Sequence, residues 1–107
     1  MINFDPSLGS EIKKTRPALI LQNNIANQYS PITIVAAITS CNGDKLYPTE
    51  VLIKKVSSGL ENDSIVLLNQ IRSVDKNRLI KRIGWLKKQD MTDVNRAIKI
   101  SLGLMDM

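Results

Sequence analysis

From Pro17 to Ile71 the sequence offers only short apolar runs, each closed by turn residues, and that punctuation confines the chain to a mainly β fold. "PALILQN" (17–23) is the first run. "PITIVAAIT" (31–39) is the second, β-branched and apolar on both faces, as a strand covered on two sides must be. "ANQYS" between them predicts a loop. "SCNGDK" carries Asn42-Gly43, a strong turn signal, and "LYPTEVLI" (46–53) then alternates sides, with Pro48 directing it to a sheet edge or a bulge. "KKVSSGLENDS" holds little apolar matter and predicts a long connection. "SIVLLNQI" (64–71) resumes as a buried strand that ends in the polar Gln70 and Arg72. "SVDKNRL" predicts a single helical turn capped by Ser73 or Asp75, and "IKRIGWL" (80–86) a last strand with one wet face.

The period changes near the end. From Asp90, a suitable N-cap, the positions Met91, Val94, Ala97, Ile98, Ser101, Leu102 and Met105 follow the three-four spacing of an amphipathic helix. The expectation is one small domain over residues 1–107, about five strands closed by a C-terminal helix. No repeat or linker marks a second domain.

Composition narrows the chemistry. The chain has no histidine and one cysteine, Cys41, so an intramolecular disulfide is excluded, no recognisable zinc site exists and no imidazole is present to activate a thiol. Cys41 reads as a small residue beside a turn. Acid-base work near neutral pH falls to carboxylates, hydroxyls, lysines or arginines. No segment has the spacing of a phosphate-binding glycine loop, which removes support for nucleotide hydrolysis. A net charge of +5 favours anionic partners such as nucleic acid, although many small domains carry such a charge for solubility alone. No apolar run reaches membrane-spanning length, and "MINFDPSLGSEIKK" lacks the pattern of a secretory signal, which predicts a cytoplasmic protein.

The stretch richest in chemical groups is "GSEIKKTRPALIL" (9–21). Gly9-Ser10-Glu11 places a hydroxyl and a carboxylate on the loop that carries Lys13, Lys14 and Arg16, and Pro17 fixes the backbone where Arg16 leaves it. A guanidinium held at a rigid strand start can grip a phosphate through two parallel hydrogen bonds. A solvated loop whose charges keep a strand edge soluble has the same composition.

The order of blocks goes further than any one of them. "DPSLGSE", "TRPALILQN", "SPITIVAAITS", "YPTEV" and "SIVLLNQIRSVDKNRL" together resemble the successive conserved blocks of the MazF/PemK family of toxin endoribonucleases, from Asp5 to the C-terminal helix. The resemblance implies an SH3-like small barrel of the MazF/PemK/CcdB plasmid-toxin type. It implies a homodimer that cuts single-stranded RNA at short sequences, without metal or other cofactor, and a cognate antitoxin whose acidic segment competes with RNA and with which it forms a DNA-binding complex. In the family the arginine before the strand-opening proline and the threonine ending the second block are catalytic; these match Arg16 and Thr39. Ser10, Glu11, Lys14, Gln70 and Arg72 then become RNA contacts. Glu11 is the carboxylate nearest Arg16 in sequence, but pairing with that arginine would lower its pKa and weaken it as a base.

Two other functions are compatible with such a fold. One is a non-catalytic toxin that binds a protein such as gyrase; those relatives end in tryptophan-glycine-isoleucine, whereas this chain ends "SLGLMDM". The other is an inactive, shortened RNA-binding member. Family members lead into their first strand with a basic residue and "GD", a segment here reduced to "MINF", so an exposed strand edge and reduced solubility or activity are expected. Trp85 reads as core or dimer packing rather than base stacking, and Tyr29 and Tyr47 as loop residues.

Overall fold

The computed structural model describes residues 1–3, 15–21, 24–41, 43 and 45–106, with only the backbone described at 56 and 57. Strands β1 (Ile2–Asn3) and β2 (Thr15–Arg16) form a small antiparallel pair. A four-stranded antiparallel sheet runs in the order β3 (Ala18–Ile20), β4 (Ile32–Ser40), β6 (Ser64–Asp75), β5 (Glu50–Ile53). Helices α1 (Asn24–Tyr29) and α2 (Lys55–Ser58) interrupt the strands, a 3-10 turn covers Lys76–Arg78, and α3 (Lys88–Ser101) closes the chain.

β4 is the hub, and its apolar run has a purpose on each face. Ala36 and Ile38 join Val51, Ile53, Val66 and Leu68 in the larger core, which α3 seals with Val94 and Ala97. Val35, on the opposite face, joins Ile2 and Val74 in a smaller one. Each fully buried aliphatic side chain contributes on the order of 1.5–3 kcal/mol.

The sheet bends where β6 carries extra chain. Ala36 pairs with Ile71 but its neighbour Ala37 pairs with Leu67, so Leu68, Asn69 and Gln70 have no counterpart on β4. Such an excess coils the strand and turns the sheet into a half-barrel. The sequence places the strand's end at Ile71; the structure carries it to Asp75, because Arg72 and Ser73 are the exposed residues of a continuing strand. Asp75 does cap the 3-10 turn, accepting from the Asn77 amide at 2.8 Å.

Three further expectations change. All of "ANQYS" but Ser30 lies in α1, held by a tertiary bond in which the buried Thr33 hydroxyl donates to Asn27 Oδ1 at 2.7 Å. Residues 80–86 form no strand: past the bonds of Ile80 and Lys81 to Met1 the segment has no ladder among the described residues. Helix α3 starts ahead of Asp90, with Lys87 at its N-cap and Asp90 buried in the first turn, where a carboxylate complements the helix dipole. Pro48 precedes an edge strand, β5, as expected.

The long connection contains α2, pinned by a carboxylate. Asp63 accepts from the Lys55 amide at 2.8 Å and lies 3.6 Å from Lys54 Nζ. The Lys55 amide is the largest cause that holds this carboxyl below its ordinary value; desolvation opposes it, and the charge and hydrogen bond of Lys54 and the charge of Lys55 reinforce it. Its native pKa is depressed, so its contribution to stability is complete above about pH 4 and is lost as pH falls through the lowered value. Asp63→Asn should therefore lower the urea midpoint at pH 7, and the gap to the parent should close by about pH 2. An equal gap at both pH values would show that the charge is not the cause.

Candidate active site

Arg16 and Thr39 lie far apart in sequence, and sheet register brings them together. Ala18 pairs with Ala37 and Leu19 with Ala36. Continued through Pro17, that antiparallel register sets Arg16 against Thr39, and β2 and β4 approach within 8 Å between Cα atoms. Opposed residues of an antiparallel pair project to the same face, as do alternate residues of one strand. Arg16, Ala18, Val35, Ala37 and Thr39 thus share a face. Arg72 joins them, since it pairs with Val35.

All three polar residues of this group are exposed, whereas Val35 beneath them is fully buried. The result is two guanidinium groups and a hydroxyl presented over an apolar base. Arg16 is held from two directions: Pro17 restricts it to extended backbone, and Ile2, 2% exposed, pairs with it from β1. Among the described residues no carboxylate forms an ion pair with its guanidinium. Planar forks of this kind suit an anionic, tetrahedral oxygen cluster.

Gln70 is exposed in the three-residue excess of β6, so it sits at the bend, ahead of Arg72. Ser10, Glu11 and Lys14 lie outside the described residues. Glu50 carries no signal of its own in the sequence, yet its pairing with Leu67, the partner of Ala37, puts a carboxylate on the same face. Its Oε1 accepts from the Tyr47 amide at 3.0 Å. The "YPTEV" block that contains it was the available signal.

Beside Pro17 opens a groove of about 680 Å³ between β3 and residues 79–86. Trp85 lines it and is 71% exposed, not core, with the Arg82 guanidinium 3.5 Å from its ring centroid. Without a ladder for 82–86, the apolar and basic residues alternate along an extended segment rather than between a core and a wet face.

The family model for "PemK-like, MazF-like toxin of type II toxin-antitoxin system" matches residues 1–102. The chain belongs to this family. Among relatives, "Endoribonuclease MazF" of Staphylococcus saprophyticus is 46% identical over 104 residues, 97% of this chain and 87% of that protein. "Endoribonuclease EndoA" of Bacillus subtilis is 44% identical over 97% of this chain and 90% of that protein. Solved MazF structures share the fold. A MazE-MazF crystal structure from Deinococcus radiodurans superposes with a TM-score of 0.79 at 27% identity, covering 97% of this chain and 90% of that one. A mycobacterial endoribonuclease in complex with its cognate antitoxin gives 0.76 at 25% identity, over 92% and 88%. The half-barrel with one C-terminal helix is therefore the architecture of MazF toxins, as the ordered blocks of the sequence imply.

Proposed function

We propose that this protein is the toxin of a type II toxin-antitoxin pair and acts as a sequence-specific endoribonuclease on single-stranded mRNA, independently of metal ions and of the ribosome, the whole chain serving as one toxin domain. The observation that carries this is the register that opposes Arg16 and Thr39 on an exposed face, in a chain nearly half identical to endoribonucleases. The relatives named above are endoribonucleases, which favours cleavage of RNA over the poisoning of a protein target.

The 2′-hydroxyl of the ribose attacks the adjacent phosphorus; the bond to the 5′ oxygen breaks, and that oxygen leaves with a proton as a 5′-hydroxyl. The other product ends in a 2′,3′-cyclic phosphate. Arg16 donates to the non-bridging oxygens as their charge grows, the kind of fixed electrostatic stabilisation that outweighs most other contributions. Thr39 orients the phosphate or the attacking hydroxyl. Arg72 and Gln70 contact RNA beside the scissile position, with Ser10, Glu11 and Lys14, which precede β2 in the sequence, completing the contacts.

A cognate antitoxin is the protein partner, in keeping with the toxin-antitoxin complexes among the structural relatives. The active species is a homodimer, and exposed Ile32 and Ile34 give β4 an apolar surface suited to self-association. No helix among the described residues is long and apolar enough to cross a membrane. We place the protein in the cytoplasm, where its substrate is.

The deciding experiment incubates the protein with a long single-stranded RNA in EDTA and maps the product ends. Discrete cuts with 5′-hydroxyl and 2′,3′-cyclic phosphate termini are expected, and a single 2′-deoxy substitution at the cut nucleotide should abolish that cut. Cleavage that survives the 2′-deoxy substitution would overturn the mechanism.

A further inference from the structure

We propose that Trp85 and Arg82 form a base-stacking subsite for single-stranded nucleic acid, a flanking station separate from the site where the chain is cut. The proposal rests on the endoribonuclease function above only in supplying RNA as the natural ligand.

Four observations carry it. First, Trp85 is 71% exposed with a guanidinium 3.5 Å from its ring centroid, so a cation sits over one face while most of the residue meets solvent. A base can stack on either the indole or the guanidinium plane, and every base has such a face to offer. Second, the platform is rigid. A Cβ on Gly84 would come within 2.9 Å of the Ser58 carbonyl oxygen, and one on Gly59, at φ +80°, within 3.1 Å of the Ile83 carbonyl oxygen. The backbone just before Trp85 is thus packed directly on the end of α2, which lowers the entropy lost when a ligand stacks there.

Third, the surroundings match the ligand. Trp85 lies on the groove that begins at Pro17; apolar residues such as Ile20 and Ile80 line it, and Lys81 and Arg82 supply positive charge. Bases would lie against the apolar residues while phosphates meet the cations. Fourth, the distance suits one strand serving both places. Ile2 pairs with Arg16 on one side and bridges to Leu79 on the other, and Trp85 follows six residues later. Strand spacing and chain reach therefore bound the Arg16–Trp85 separation at about 30 Å, a span that several linked nucleotides can cover.

Trp85 is the only tryptophan in the chain, so its fluorescence reports the subsite directly. The protein would be titrated with a labelled single-stranded DNA of about 16 nucleotides, which stacks but is not cut, with anisotropy following binding. Saturable quenching that tracks anisotropy is expected. In parallel, Trp85→Ala and Arg82→Ala should raise KM for a long RNA by about 5- to 100-fold with kcat within about twofold, Trp85→Phe should restore most of the loss, and a minimal substrate should be cut as by the parent. Binding without quenching, or a KM unmoved in Trp85→Ala, overturns the subsite even where cleavage is normal. Loss of antitoxin affinity in Trp85→Ala with RNA kinetics unchanged also overturns it, in favour of a protein-binding surface. Quenching in a protein that cuts no RNA upholds the subsite and overturns the function proposed above instead.

Discussion

Arg16→Ala is expected to slow RNA cleavage at saturating substrate by about 10²- to 10³-fold, the usual cost of removing one fixed donor to developing oxyanion charge. The fold should survive. Arg16 is exposed, its strand pairs through backbone groups, and Pro17 still restricts the residue before it, so the urea midpoint should move by no more than a surface substitution does, about 0.5 kcal/mol. Arg16→Lys separates charge from geometry: the ammonium keeps the charge but lacks the two-pronged fork, so most of the loss should persist. Thr39→Val should cost less, since an orienting hydroxyl carries no charge. Single-turnover rates for the three variants beside the parent provide the check. An Arg16→Ala protein within tenfold of the parent would mean that another group stabilises the phosphorane.

Ile2→Ala should be the most damaging change to stability at any residue near the site, at about 2–5 kcal/mol in denaturant unfolding. The side chain is 2% exposed and packs with Val35 and Val74, while its backbone pairs with Arg16 and bridges to Leu79. Ile2→Val, which removes one methylene, should lose only about 0.5–1.5 kcal/mol. Against a typical total of about 5–15 kcal/mol, the alanine variant would be marginal at 37 °C. A midpoint indistinguishable from the parent would show that the smaller core contributes nothing.

What the sequence discloses and what it hides follow from how each element is specified. β4 is legible because nine residues of mostly β-branched and apolar character can be little else, and α3 because its period persists over several turns. In the sequence β6 ends too early, just past its bend: a three-residue excess breaks the period-two pattern, and polar residues on an exposed face imitate an ending. α1 has no apolar period of its own and depends on Asn27 meeting Thr33, a contact invisible before folding. Residues 80–86 alternate as a strand should, yet a strand exists only where a neighbour supplies the ladder. Family resemblance points to Arg16 and Thr39; their opposition follows from a register that single-residue properties do not encode.

One consequence of β1 concerns time rather than energy. The strand that carries Arg16 reaches the rest of the fold partly through two residues, Ile2 and Asn3, while Val66 and Leu68 sit fully buried in the larger core. Units so different in size do not open together; the small one separates and recloses many times for each global unfolding event. The arginine is thereby mounted on a unit that opens more readily than the larger core, so warming should part Arg16 from Thr39 while the sheet beneath them still holds.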